Sequence, residues 1–191
     1  MTELPKSRGL NTAALSGLFR HTTNSYKFIF FLSLLDLLKR RKFEVLEPFS
    51  FSELTIEMLA IAWFPHTFFK LSFGTQDTLS KKLDSLTIDV DSSRVRLLAE
   101  DKRALRSMLE RTDLTGAMRL MDFVPYRLLI PFLEQELRGI DKGAWMVLEN
   151  AMPRVVNENF NELRPLYRFD KNEYKDCRSL FINSEWASYL Q

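Results

Sequence analysis

The sequence predicts a mainly α-helical globular domain with a small β-hairpin near its C-terminus. Apolar residues make up 46% of the 191 residues and aromatic residues 13%, which is enough to bury a sizeable core. Only 6 Gly and 7 Pro are present, and this argues against a turn-rich all-β architecture. Apolar residues recur at helical spacing, most clearly over residues 92–111. These observations together favour a multi-helix fold.

The central element of the predicted fold is a helix over about residues 24–42. A polar segment ending at Lys27 leads into an almost wholly apolar run over residues 28–38. A helix of this composition is predicted to be buried in the middle of the domain. The run is shorter than the roughly 20 residues of a membrane span, Asp36 interrupts it, and a basic segment over 39–42 closes it. We therefore predict no transmembrane segment.

The other helices are predicted from their start signals and from the spacing of their apolar residues. The helix that begins near Ser52 has an acidic residue in its first turn, and Pro65 is expected to bend or end it. Pro131 either kinks a helix or leaves residues 125–129 as a separate turn, and Pro153 is expected to kink or break another helix. In chain order the remaining predicted helices cover 11–20, 52–64, 78–86, 92–111, 114–121 and 142–160.

The last part of the chain, residues 166–191, is predicted to differ from the helical part, residues 1–165. Two short apolar runs, at 166–169 and 179–183, flank a polar loop and are typical of strands. A helix then opens at Ser184. We expect a small hairpin, followed by the start of a C-terminal helix, that packs on the same domain.

The charge balance, the cysteine and the histidines limit the classes of function. The 27 basic and 25 acidic residues give a net charge of +2, so any nucleic-acid contact would need a local basic patch. A single cysteine, Cys177, excludes an intrachain disulfide framework and favours a reducing cytoplasm, and the N-terminus has no apolar signal region. The two histidines, His21 and His66, have no second histidine or paired carboxylates nearby in sequence, so we predict no catalytic or metal-binding residues.

Lys27 is unusual because it lies on the apolar side of the predicted central helix, in line with Phe31 and Leu34. A lysine in a first turn also opposes the helix dipole, at a cost of about 0.3–1 kcal/mol. Lys27 can pair with a carboxylate of its own chain, or its side chain can extend past the end of the core. Alternatively it forms an anion site with the N–H groups of the helix start, with Thr23 and Asn24 beside it. A contact with a partner protein is the third explanation.

Two basic groups are candidates for contacts with a nucleic-acid backbone. Lys39, Arg40 and Arg41 close the central helix, where the dipole also favours cations, so a solvated helix end is the alternative. In the helix over 92–111, basic side chains share one half of the helical wheel and could follow a nucleic-acid backbone, and a solvated face of mixed charge is the alternative. The candidates on this second helix are Arg96, Arg103 and Arg106.

Tyr126 and Arg127 form a further candidate pair, in an apolar segment over residues 124–133. Arg127 is the only charge in that segment and needs a partner if it is buried. Asp122 and Glu134 are nearby in sequence and can fill that role. A structural ion pair and a contact with a ligand both remain open.

Two motifs resemble the helical region of a group of bacterial HNH endonuclease family proteins. The first, FRHTTNSYKF over residues 19–28, leads into the apolar helix, and the second, VPYR-x-L-x-PF, covers residues 124–132. A tail over residues 165–169, ahead of Trp186, matches as well, so the resemblance extends over nearly the whole chain. In that family the helical region precedes a C-terminal HNH nuclease module, and its members often look like parts of restriction or phage-defence systems.

The resemblance implies a targeting or assembly domain that contacts DNA or partner subunits. An HNH site needs a general-base histidine and metal ligands on a ββα unit, and no such set is present in this chain. A divalent metal would therefore belong to the HNH module, and no cofactor is expected here. The chain is then either part of an active nuclease whose catalytic residues lie beyond it or a stand-alone relative. The alternative is a helical protein–protein interaction subunit of a defence complex, without any nucleic-acid contact.

Overall fold

A computed structural model describes residues 5, 7, 9–20, 25–73, 78–85, 99–141, 143–144 and 146–191. Within these ranges the fold is mainly α-helical, as the sequence predicts, with a small three-stranded antiparallel sheet. The helices are α1 (Thr12–Gly17), α2 (Tyr26–Arg40), α3 (Phe51–Phe69), α4 (Thr78–Asp84), α5 (Ala99–Leu109), α6 (Thr115–Met118), α7 (Val124–Leu128), α8 (Val147–Leu163) and α9 (Ser184–Leu190). The strands are β1 (Phe49–Ser50), β2 (Tyr167–Phe169) and β3 (Ser179–Ile182), and 3-10 turns cover 119–122, 130–132 and 174–176.

The helix α3 begins with a capping box that lies two residues before the predicted start. The side chain of Ser50, not Ser52, accepts a hydrogen bond from the backbone N–H of Glu53 at 3.1 Å. In return the Glu53 carboxylate accepts from the backbone N–H of Ser50 at 2.9 Å. Pro65 does not end the helix, which continues to Phe69. None of the described helices is both long and apolar enough to cross a membrane.

The helix α2 packs against α3 and α7, and its buried side includes Leu34 and Leu38, which the sequence placed on the apolar side, but also Ser33. Phe28 and Leu32 are 43% and 47% exposed, whereas Ser33 is fully buried. Ser33 can be buried because its hydroxyl donates to the carbonyl oxygen of Phe30 at 2.7 Å within the helix. The side of α2 that carries Ser33 and Arg40 therefore faces α3. The prediction of a buried central helix is therefore confirmed only in part, because one side of α2 is exposed.

The predicted hairpin is present as the antiparallel pair of β2 and β3, and β3 also pairs with β1. The strand order is β1-β3-β2, with Tyr167 opposite Ile182 and Phe49 opposite Leu180. The strand β1 was not predicted from the sequence, because two residues are too few to show the alternation typical of a strand.

The sheet and α9 share one hydrophobic core with the helices. The Tyr167 hydroxyl donates to the carbonyl oxygen of Pro125 at 2.6 Å, and the rings of Tyr126 and Phe169 stack at 4.7 Å. Trp186 of α9 is fully buried. The C-terminal segment is therefore packed directly against α7.

The chain is interrupted near Pro131 but stays helical through Pro153. Residues 124–128 form the short helix α7, separate from the 3-10 turn over 130–132 that contains Pro131, which agrees with the alternative that residues 125–129 are a separate turn. Pro153, by contrast, lies inside α8, which continues to Leu163. The first half of the predicted helix over 92–111 lies outside the described residues, and the described part is α5.

Candidate functional site

Glu57 of α3 is fully buried and binds two of the candidate arginines. Arg106 of α5 donates to both carboxylate oxygens, from Nε at 2.7 Å and from Nη2 at 2.5 Å. Arg40 of α2 donates to the same carboxylate from Nη1 at 3.1 Å. Burying a carboxylate is costly unless it is paired with a cation and hydrogen-bonded. Here two guanidinium groups supply both the positive charge and the hydrogen bonds. Glu57 thus holds α2 and α5 against α3.

Arg40 of α2 and Lys102 of α5 lie where these two helices meet, and together with their exposed sequence neighbours Lys39 and Arg103 we name them the basic seam. Lys39 and Arg103 are exposed, and the side chains of Arg40 and Lys102 are 50% and 36% exposed. Lys102 also forms a 3.8 Å ion pair with Asp36 of α2. Two candidates from the sequence, Arg40 and Arg106, are therefore brought together on one carboxylate, and Arg103 lies on the same helix as Arg106.

Arg41 is held by contacts within the protein and is not part of the basic seam. It donates to the Glu53 carboxylate at 2.7 Å and to the carbonyl oxygens of Glu47 and Pro48, each at 3.1 Å. Its guanidinium carbon also lies 4.1 Å from the centre of the Phe49 ring. Burial opposes ionisation of Glu53, but hydrogen bonds from Ser50 and then Arg41 lower its pKa below the ordinary value. Arg41 thus fixes the segment between α2 and α3.

Arg127 of α7 forms an ion pair, but with a residue that sequence proximity did not indicate. Its Nε donates to Oε1 of Glu149 at 2.5 Å. Neither Asp122 nor Glu134, the expected partners, pairs with it in the described part of the chain. Glu149 lies 22 residues further along and reaches Arg127 because α8 packs against α7.

Glu149 is fully buried, and only one of its two carboxylate oxygens is hydrogen-bonded. Among the described residues, no group donates to its Oε2. The side chain of Arg127 is 39% exposed, so the pair lies at the edge of the core. Because nearly all buried polar atoms have a partner, the bare oxygen requires an explanation.

Lys27 is half-buried in the first turn of α2, near this ion pair. Burial, and after it the positive charge of Arg127, lower the pKa of Lys27 below its ordinary value. The helices α2 and α7 pack against each other, so the charge of Arg127 acts on Lys27. Two further candidates for an anion site at this helix start, Thr23 and Asn24, lie outside the described residues, as does Arg96.

Tyr126 is a core residue in the structure, with 1% of its surface exposed. Its ring stacks on Phe169, and burial raises its pKa well above the ordinary value. Its hydroxyl is hydrogen-bonded to Cys177, whose pKa is raised to about 11, mainly by burial. A thiol with so high a pKa is protonated and inert at neutral pH. Tyr126 thus contributes packing beneath the site instead of a surface for a ligand.

Neither buried glutamate was predicted from the sequence. Glu57 stands inside an apolar stretch over residues 54–59, and this was a signal that it could be buried. Glu149 also has an apolar neighbour on its N-terminal side, Leu148, which is fully buried. Their partners lie on other helices, so no spacing along the chain could identify them.

Comparisons of the chain with protein-family models, curated proteins and solved structures found no match. The resemblance to HNH endonuclease proteins therefore stays a prediction. In the ranges that the structure describes, no three His, Cys, Asp or Glu side chains converge in a way that could hold a metal ion.

Proposed function

We propose that the protein is an accessory module, for targeting or assembly, of an HNH-type DNA endonuclease in a bacterial restriction or antiviral defence system. Nuclease chemistry and its divalent metal belong, in this proposal, to a separate HNH module. The module contacts the nucleic-acid backbone through the basic seam. The observation that supports this contact is the pairing of α2 and α5 by the buried Glu57, which brings Arg40 and Lys102 to one boundary, with the exposed Lys39 and Arg103 next to them in sequence.

The arrangement suits phosphate binding for a physical reason. A guanidinium group has five N–H donors, and Arg40 gives one nitrogen to Glu57 while half of its side chain is exposed. The buried carboxylate holds the guanidinium in place, so less conformational entropy is lost when a phosphate binds. Lys39 and Arg103, which are next to Arg40 and Lys102 in sequence, add exposed positive charge. A local patch of this kind is what a chain with a net charge of only +2 needs to bind a polyanion.

Salt-dependent DNA binding tests the proposal. We expect the double variant Lys39→Ala/Arg103→Ala to bind a fluorescein-labelled DNA duplex more weakly than the unmodified protein. Removing one phosphate contact lowers the slope of log K against log salt by about 0.9, so removing two should lower it by about 1.8. Fluorescence anisotropy over a series of salt concentrations measures both the affinity and the slope.

The matched control is Lys171→Ala/Arg138→Ala, which removes one exposed lysine and one exposed arginine outside α2 and α5. It has the same net charge as the seam variant and should retain the original slope. An equal decrease of slope in both double variants would mean that binding is a general effect of charge, and the seam would then have no special role.

The alternative function, a protein-interaction subunit without nucleic-acid contact, is favoured by one observation. Phe28 and Leu32 lie one turn apart on α2, and each exposes more than two fifths of its surface. Exposed apolar side chains grouped on one helix are typical of protein contacts. The same anisotropy experiment separates the two functions, because the interaction subunit would not bind DNA even at low salt.

A further inference from the structure

The side of α2 opposite its buried side carries a row of apolar side chains. At about 100° per residue, Phe28, Leu32 and Leu35 fall within about 60° of one another around the helix. Phe28 and Leu32 are 43% and 47% exposed, and Leu35 is partly exposed. We name these three residues the α2 stripe. An apolar row at this spacing is normally buried against another element.

Aromatic contacts hold the N-terminal end of the α2 stripe in place. The ring of Phe19 stacks on the ring of Phe28, with centroids 4.2 Å apart and an interplanar angle of 13°. The same Phe19 ring meets Phe31 of α2 edge-on, at 5.7 Å between centroids. Phe28 is therefore fixed in one orientation although it is exposed. A side chain that is already ordered loses less conformational entropy when a partner covers it.

The spacing of the α2 stripe indicates that its partner is another helix. Residues at i, i+4 and i+7 form a ridge that packs into the groove between the side chains of a second helix. A strand would need a row of free backbone N–H and C=O groups to pair with, and the middle of a helix has none. From Phe28 to Lys39 the face extends about 16 Å along the axis, which is about three turns of a partner helix.

The charges at the two ends of the α2 stripe indicate the charge of the partner. Lys39 is exposed and lies in the same sector of α2 as the stripe, at its C-terminal end. At the other end, Arg20 is exposed and directly follows Phe19, so its Cα is about 3.8 Å from that of a residue that contacts the stripe. Asp36, on the flank, is already paired with Lys102 of α5. Two copies of the stripe would place cations opposite cations in either orientation, whereas an acidic helix would complement both ends.

We propose that the α2 stripe docks an amphipathic helix of a partner protein, whose apolar side chains cover Phe28, Leu32 and Leu35 and whose flanking carboxylates pair with Lys39 and Arg20. This docking role rests on the assembly function proposed above and specifies the chemistry of the partner subunit. It does not require the DNA contact of the basic seam, with which it shares Lys39.

Fluorescence anisotropy with two labelled peptides of roughly 20 residues, each long enough to cover the α2 stripe, tests the proposal. Both peptides carry leucines at i, i+4, i+7 and i+11 on one face of an alanine-rich helix. They differ only in having glutamates or lysines at the positions beside that face. We expect the whole chain to bind the glutamate peptide with a Kd on the order of 100 μM or tighter, and the lysine peptide at least about tenfold more weakly. Equal affinity for the two peptides, or binding of neither, overturns the proposal.

The variant Leu32→Gln shows whether the peptide binds at the α2 stripe. It removes an apolar side chain that is 47% exposed and leaves the net charge unchanged, so the affinity for the glutamate peptide should fall about tenfold. The matched control is Leu46→Gln, the same substitution at a leucine outside α2 that is 89% exposed, and it should retain the affinity. Equal losses in the two variants count against the stripe. Circular dichroism shows whether Leu32→Gln folds, and Leu35→Gln on the same stripe replaces it if it does not.

Two further measurements separate this docking site from a second copy of the chain and from the basic seam. Leu32→Gln should leave the sedimentation coefficient of the protein unchanged, and a dimer that this variant dissociates would assign the stripe to a second copy and overturn the proposal. Arg103→Ala should leave the affinity for the glutamate peptide unchanged, and Leu32→Gln should leave the affinity for duplex DNA unchanged. Peptide binding without DNA binding would contradict the seam alone, and DNA binding without peptide binding would contradict the docking site alone.

Discussion

Two buried glutamates, Glu57 and Glu149, differ in how completely their carboxylates are paired. Both oxygens of Glu57 accept hydrogen bonds, and two arginines share it. Glu149 has one arginine and one oxygen without a donor among the described residues. Complete pairing is typical of a structural role, because it leaves nothing for a ligand to satisfy. We therefore assign a structural role to Glu57.

Removing the Glu57 carboxylate should destabilise the fold strongly. Glu57→Ala leaves the charge of Arg106, whose side chain is only 11% exposed, without its hydrogen-bonded carboxylate and with only the weaker influence of Asp36. Breaking a buried ion pair by removing one partner costs about 3–5 kcal/mol, and we expect the free energy of unfolding to fall by this amount. Urea denaturation followed by circular dichroism measures it.

The exposed Glu158 of α8 provides the control for this experiment. Glu158→Ala should change the free energy of unfolding by no more than about 0.5 kcal/mol. A decrease below about 1 kcal/mol in Glu57→Ala would mean that the two arginines find other partners or water, and that Glu57 does not hold α2 and α5 together.

At the scale of single elements, the start of α3 depends on one hydroxyl group. Ser50 is the N-cap residue, and Ser52 lies exposed in the first turn. We expect Ser50→Ala to lower the free energy of unfolding by about 0.5–2 kcal/mol, because an N–H group of the first turn then loses its acceptor. Ser52→Ala is the matched control, and it should have a much smaller effect in the same urea titration. A larger decrease in Ser52→Ala than in Ser50→Ala would identify Ser52 as the N-cap residue, near which the sequence pattern alone placed the start of the helix.

Elements whose signal is local were predictable from the sequence, and those set by packing were not. The hairpin strands β2 and β3 and the start of α9 follow from local composition and were predicted within a residue or two. The burial of Ser33 on α2 was not predictable. A helical wheel treats serine as polar and cannot show that its hydroxyl donates to the carbonyl oxygen of Phe30 within the helix. The sequence showed that Arg127 needs a partner if it is buried. It could not identify Glu149 as that partner, because their contact depends on how α8 packs on α7.

At the scale of the whole molecule, the C-terminal segment and the helices form one core. Trp186 of α9 contacts the Phe132 ring at 5.7 Å, and its Nε1 donates to the carbonyl oxygen of Arg164 at 2.8 Å. Tyr167 of β2 contacts the ring of Phe30 in α2 at 6.2 Å. The division into residues 1–165 and 166–191 is thus a division of secondary structure, within a shared core.

A shared core should unfold in a single cooperative transition. In a Trp63→Phe/Trp145→Phe variant, Trp186 is the only tryptophan, so its fluorescence reports the environment of α9. Circular dichroism reports mainly the helices of residues 1–165. We expect the two signals to change with the same midpoint in urea, because coincident transitions are the signature of two-state unfolding. If the fluorescence changed at a lower urea concentration than the dichroism, the segment over 166–191 would detach before the helices unfold. The contacts of Trp186 and Tyr167 would then be too weak to join the two parts, and variants such as Glu57→Ala would have to be interpreted for residues 1–165 alone.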